Sequence, residues 1–247
     1  MKKIKLLLSL VVALAVISCQ KEPTTKTTTA VFDGKVLVGG SASAVEVDGY
    51  MILEFSEYFD NTVGGVSAVF AAGFENNGSL IDAGTVSIGS FELENGTDNR
   101  LLLYPSAINK NDYLGQSVST SFDSKNVGGF SDFTQSVYVP KQMSVSSNIG
   151  GGDYFLKSKD LVLSWTPDAN TAKVYIGICT PGLPCIFKEV DDTGSLTIPS
   201  SEFANFPAGN DILIHMGRGT QTCVTMGQRE VCITAYNNAR IPRLKIQ

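Results

Sequence analysis

From residue 31 onward the chain sets short apolar runs between clusters of glycine, asparagine, aspartate and serine. The runs at 36–38, 45–47, 51–55, 66–74, 85–88, 91–93, 101–104 and 116–122 are rich in side chains that fit a pleated surface. Between them stand Gly39-Gly40, Gly64-Gly65, Asn76-Asn77-Gly78 and Asn95-Gly96, residues that accept the backbone angles of tight turns. No window sustains a helical apolar period, so the longest helix expected is a turn or two. Turns at this spacing predict an antiparallel β-domain. Gly128-Gly129 and Gly150-Gly151-Gly152 bracket a loose region around Pro140. The boundary is placed there, giving an N-terminal β-domain at 31–140 and a C-terminal one at 141–247. That division predicts that a piece starting near Lys141 folds by itself.

The second half carries the clearer pattern. Leu161, Leu163 and Trp165 share one strand face by the period of two. Pro167-Asp168-Ala169-Asn170 makes a turn, and 173–179 is the next strand. Residues 194–198 form a strand stopped by Pro199, Ser200-Ser201-Glu202-Phe203 can begin one helical turn with a serine cap, and Pro207-Ala208-Gly209 leads into a strand at 211–216. A strand ending in a core tryptophan, a turn and a second strand resembles the early hairpin of fibronectin type III and other immunoglobulin-like sandwiches. The resemblance covers about a hundred residues and implies a C-terminal immunoglobulin-like β-sandwich. The expected class is all-β, with two antiparallel β-sandwich-like domains.

The start of the chain is a different kind of segment. Lys2, Lys3 and Lys5 are followed by an apolar run at 6–17, broken only by Ser9. That run is short for a hydrocarbon core of about 30 Å and has the length of a signal-peptide core. It ends in Val16-Ile17-Ser18-Cys19, which resembles the lipobox of bacterial lipoproteins, with Val16 where leucine is usual. The resemblance implies a signal peptide at 1–18 and lipid on Cys19. The arrangement as a whole resembles lipoproteins of the Bacteroidota, which implies anchorage to the outer membrane. Gln20, Lys21 and Glu22 resemble the surface-export signal of those proteins, which implies a position facing the cell exterior. Residues 19–30 are then the lipidated cysteine and a flexible tether, since Pro23 and threonines 24, 25, 27, 28 and 29 offer nothing to offset the entropy of ordering.

Hydrophobic residues make up 43% and charged ones 17%, enough to build cores and too little charge for disorder. Removing the three leader lysines from 19 basic residues leaves 16 against 24 acidic ones, a side-chain balance of −8. With no basic patch or stripe, a nucleic-acid partner is not expected.

Candidate chemistry is sparse. His215, the single histidine, cannot build a multi-histidine metal site. It stands in the apolar strand beside Ile212-Leu213-Ile214, and the chain has no Gly-x-Ser-x-Gly elbow, so it is expected as a strand histidine. Asp192-Thr193-Gly194-Ser195 spells the aspartic-protease signature. That chemistry needs two carboxylates sharing a proton, no second copy is present, and Asp191-Asp192-Thr193-Gly194 is expected as a turn. Trp165 is expected in the core, whereas Tyr58, Tyr104, Tyr113 and Tyr154 are rings that could stack on sugars. The loop Glu94-Asn95-Gly96-Thr97-Asp98 lacks the spacing of a calcium loop. No catalytic residue, metal or cofactor is expected.

Cys179, Cys185, Cys223 and Cys232 are even in number and belong to an exported chain, which favours disulfides. Met226-Gly227-Gln228-Arg229 can form a two-residue hairpin loop of type II′, with Gly227 at its first central position. Counting back, Thr225–Glu230 is non-hydrogen-bonded, Val224–Val231 bonded and Cys223–Cys232 non-bonded, which sets the two cysteine Cα atoms about 4.5 Å apart. Cys179 and Cys185 flank Pro181-Gly182 and would form the other bridge. The function expected is a non-enzymatic binding, adhesive or scaffolding module. Its partners would be the membrane through the lipid, and a surface protein or glycan. The alternatives are a glycan-binding accessory of a polysaccharide uptake system and a hydrolase with unmarked catalytic carboxylates.

Overall fold

The computed structural model describes residues 47–60, 63–96, 98–105, 108–149 and 154–247, with backbone alone at 57–60, 63–66, 242 and 243. Cys19, Gln20, Lys21, Glu22, the tether and the runs at 36–38 and 45–46 lie outside the described residues. The strands follow in chain order. The first half holds β1 (Gly49–Asp60), β2 (Val63–Asn76), β3 (Ser79–Leu80), β4 (Gly84–Ile88), β5 (Phe91–Glu92), β6 (Glu94–Asn95), β7 (Leu101–Leu103), β8 (Ser117–Ser124) and β9 (Phe133–Tyr138). The second holds β10 (Val145–Ser147), β11 (Tyr154–Phe155), β12 (Leu161–Trp165), β13 (Lys173–Cys179), β14 (Ile186–Asp191), β15 (Ser195–Ile198), β16 (Asp211–Met226) and β17 (Arg229–Ile246).

One long sheet runs in the order β14-β13-β16-β17-β1-β2-β7-β6, with β11 added on β17 and β3 on β2. Two smaller sheets, β5-β4-β8-β9 and β10-β12-β15, provide the facing layers. Alternation explains them: along β8, Val118, Thr120 and Phe122 point inward between exposed or half-exposed neighbours, and along β12 Leu161, Leu163 and Trp165 do the same. The fold is an all-β pair of sandwiches. In the second, three strands (β10, β12, β15) face four (β14, β13, β16, β17), an immunoglobulin-like arrangement.

Two cores result. Phe55, Phe70, Phe74, Val86, Phe122 and Val137 belong to the first, where Phe74 stacks on Phe122 with centroids 4.3 Å apart. Leu163, Trp165, Ile176, Ile198, Phe203 and Ile214 belong to the second. The clusters change over between Val139 and Met143, near the boundary placed at Pro140, except on the C-terminal hairpin. Strands β16 and β17 have 16 and 18 residues and reach on the order of 55 Å, long enough to serve both cores. Their distal part supplies Val224, Val231, Ile233 and Ala235 to the first core, and their proximal part supplies Ile212, Ile214, Ala239 and Ile241 to the second. The joint to the first sandwich is parallel, from Gly49↔Val231 to Glu57↔Ala239, where turn spacing alone indicated antiparallel neighbours.

Two further differences have local causes. The helical turn at Ser200–Phe203 forms, but its N-cap is Pro199 and no side chain caps it. The Ser200 backbone N–H donates to the Asp160 carboxylate instead, at 2.8 Å. The pairing of β16 with β17 shifts register between Ile212 and Ile214, opposite the stretch holding Pro242, a residue with no N–H to donate.

Candidate functional site

Where the two cores meet, the inward face of β16 turns from apolar to charged. Even-numbered positions face the cores, and Arg218 lies between Met216 of the second and Val224 of the first, fully buried. Its guanidinium donates through Nη1 to the Thr166 carbonyl and to Asp192 Oδ2, each at 2.9 Å. Through Nη2 it donates to the carbonyls of Lys141 and Gln142 at 2.9 and 3.2 Å. Asp192 also accepts the indole N–H of Trp165 at 2.7 Å, the Thr171 hydroxyl at 2.6 Å and the Asp168 backbone N–H at 3.1 Å. Asp168 accepts the Tyr138 hydroxyl at 2.9 Å and the backbone N–H groups of Lys141 and Asn170 at 2.8 and 3.1 Å. Tyr138 comes from β9 of the first sandwich, and its own carbonyl accepts the Thr220 hydroxyl of β16.

The electrostatics follow from this wiring. Burial by itself would push the Asp168 carboxyl up; the Lys141 and Asn170 N–H groups, the Tyr138 hydroxyl and the Arg218 charge outweigh it and hold the group below its ordinary value. Burial, with the neighbouring Asp168, raises the Tyr138 phenol above its usual range. Both carboxylates accept several donors, which fixes their positions between the sandwiches. The cluster joins four pieces of chain, at 138–142, 165–171, 192 and 218–220, and its chemistry is that of a lock.

The sequence-predicted residues fall as follows. Cys223–Cys232 and Cys179–Cys185 are the two disulfides, with Cα atoms 4.0 and 4.3 Å apart. The hairpin register is the expected one, Cys223↔Cys232 to Met226↔Arg229, with Gly227 at φ 60° as type II′ demands. His215 sits half-buried on β16 opposite Arg240; burial, then that cation, push it down to about 4, so it is neutral at pH 7. Asp192 lies in a turn, as expected of its four-residue motif, with Gly194 at φ 97° and the Thr193 N–H on the Asp191 carbonyl. The burial of that aspartate, and its bond to Trp165, went unread in the sequence. Trp165 and Tyr113 are buried, Tyr104 and Tyr154 are exposed, and for Tyr58 only the backbone is described. Asp98 of the acidic loop pairs with Arg100 at 3.2 Å. Among the described residues no group of three or more His, Cys, Asp or Glu side chains could hold a metal ion.

Arg229, at the tip of the long hairpin, is a second residue the sequence did not mark. Its guanidinium donates to Asp48 Oδ1, Asn76 Oδ1 and the Gly128 carbonyl at 2.7–2.8 Å and lies 5.3 Å from the Phe130 ring centroid. The hairpin is thus fixed at its middle by Arg218 and at its end by Arg229.

A concave surface with ligand-type chemistry lies on the first sandwich. A groove of about 440 Å³ is walled by the β4–β5 turn, the 3-10 turn Lys110–Asp112 and the start of β8. Phe91 and Tyr113 form its floor, with ring centroids 6.3 Å apart, and Ser90, Asn109, Asp112 and Ser119 its rim. Gly89 shapes the wall: its φ is 59°, and a Cβ there would sit 2.8 Å from the Tyr113 hydroxyl.

No family model matches the chain, and no curated protein does. Among solved structures, it is similar to the crystal structure of chicken CNTN1 FN1-FN3 domains at 11% identity and a TM-score of 0.24. The match covers 80% of this chain and 64% of that one, so the chain spans less than two thirds of its length. At that score the strand order defines the architecture, and the likeness adds nothing to it.

Proposed function

We propose that the protein is a lipid-anchored, non-enzymatic binding or scaffolding module on the outer face of the outer membrane, whose two sandwiches act as one rigid unit. The observation that carries this reading is the buried Arg218–Asp192–Asp168 joint, which ties Tyr138 and Lys141 of one sandwich's end to the turns of the other. The side chains of Arg218, Asp192 and Asp168 are buried, and their hydrogen bonds hold the two sandwiches together. The hairpin common to both cores supports the same reading. The anchor rests on Cys19 and the run before it, and outward display on Gln20, Lys21 and Glu22.

Metabolic palmitate labelling and proteinase K treatment of intact cells test the anchor and its orientation. The wild type is expected to be labelled and digested, Cys19→Ala to be unlabelled, and a Lys21→Ala/Glu22→Ala double variant to be labelled but protected. A wild type that resists protease until the outer membrane is broken overturns surface display. Turnover of simple ester, glycoside or peptide substrates by the purified protein, lost in no contaminant control, overturns the non-enzymatic part.

A further inference from the structure

The groove on the first sandwich brings aromatic surface and polar side chains together. We infer that it is a binding site for an uncharged saccharide, a ligand assignment that rests on the binding-module reading above.

The chemistry of the walls selects the ligand. The half-exposed edge of Phe91 continues inward through Tyr113 to Phe70 and Phe55, so the floor is an aromatic surface backed by the core and held rigid by it. The exposed part of Phe91, backed in this way, offers the apolar C–H side of a sugar ring a contact that costs little ordering in the protein. The rim is made of hydroxyls, one carboxamide and one carboxylate. Asn109 Nδ2 donates to Asp112 Oδ1 at 3.0 Å, and Asn109 Oδ1 accepts the Asn111 N–H at 3.3 Å. These bonds fix both planar groups in place before any ligand arrives. Asp112 Oδ2 has no donor among the described residues and remains an acceptor for ligand hydroxyls. Ser90, Ser117 and Ser119 add groups that both donate and accept.

The same walls turn other ligands away. No lysine or arginine lines the groove, and the adjacent Lys110 ammonium donates to the Gln142 side chain at 2.8 Å, so phosphate, sulfate and uronate groups meet only Asp112. One carboxylate is too few for a divalent cation. A volume of about 440 Å³ suits a sugar unit or two, with the chain of a longer glycan leaving through the open side.

The test uses the full chain purified in detergent. It is applied to immobilised uncharged di- to tetrasaccharides of gluco, manno, galacto and xylo configuration, beside sulfated and sialylated controls. Asp112→Ala removes the free acceptor, and Ser119→Tyr fills the groove from an exposed strand position. Expected is binding to at least one uncharged class, weakened tenfold or more by each variant while the melting temperature stays within error of wild type. The inference is overturned if no uncharged saccharide binds, if only charged ones do, or if binding is indifferent to both variants. The last result leaves the binding-module reading standing with its site elsewhere. That reading fails separately, on turnover or on a periplasmic location.

Discussion

Arg218 shows how much a single interior charge can organise. It has no exposure, and four acceptors surround it, supplied by the chain between the sandwiches, by the turn after β12 and by Asp192. Removing one member of a buried pair strands the other, which costs about 3–5 kcal/mol. Arg218→Met is therefore expected to lower the urea midpoint by that amount of stability. Adding Asp192→Asn, which removes the stranded charge, should recover part of it, and a double variant merely as unstable as the sum of both single changes would refute the coupling. His215 gives a second measurement at this scale. Its folded pKa of about 4 lies below the unfolded value of about 6.5. As pH falls between those values the unfolded chain takes a proton that the folded chain refuses, so stability declines across that window. His215→Asn should flatten the stability profile between pH 6.5 and 4, and an unchanged slope in the variant would assign the decline to other groups.

At the scale of elements, the two disulfides differ in access. Cys223 and Cys232 are 0% and 2% exposed on the long hairpin, whereas Cys179 and Cys185 are half-buried beside an exposed Pro181-Gly182 turn. Mild reductant followed by alkylation should label Cys179 and Cys185 first. Replacing Cys223 and Cys232 by serine should cost on the order of 2–3 kcal/mol, a small-loop value that urea unfolding can read. Equal labelling rates for all four thiols would contradict the burial difference. That bridge was legible because period-two counting from a two-residue loop fixes it without tertiary knowledge, and the inward face of Leu161, Leu163 and Trp165 was legible for the same reason. Elements whose sequences look polar were missed. Strand β9 carries Thr134, Gln135 and Ser136 and β14 carries Lys188, Glu189 and Asp191, because both are edge strands with one wet side. The groove could not be read at all, since Phe91, Asn109 and Ser119 come from three separate elements that only the folded sandwich brings together.

For the molecule as a whole, the shared hairpin bears on whether either sandwich can stand alone. Period and turn spacing divide the chain near Pro140, and by that division a piece beginning at Lys141 is a domain. In the structure such a piece would strip β17 of β1 along Gly49↔Val231 to Glu57↔Ala239. It would also uncover Val224, Val231, Ile233 and Ala235, each 8% exposed or less in the intact fold. A long, apolar, unpaired strand is a template for aggregation, and Arg218 would keep only its second-sandwich partners without Tyr138 to orient Asp168. The piece from Lys141 is therefore expected to aggregate or unfold, and replacing residues 219–236 by a short Asn-Gly turn should restore a soluble β-rich monomer by removing the orphaned half of the hairpin. The full chain should lose both sandwiches together. Trp165 fluorescence reports the second core, amide exchange along β8 reports the first, and their urea midpoints should coincide because neither core survives loss of the hairpin. Separate midpoints, or a well-behaved unmodified piece from Lys141, would show that β16 and β17 can be shared by two cores without coupling them.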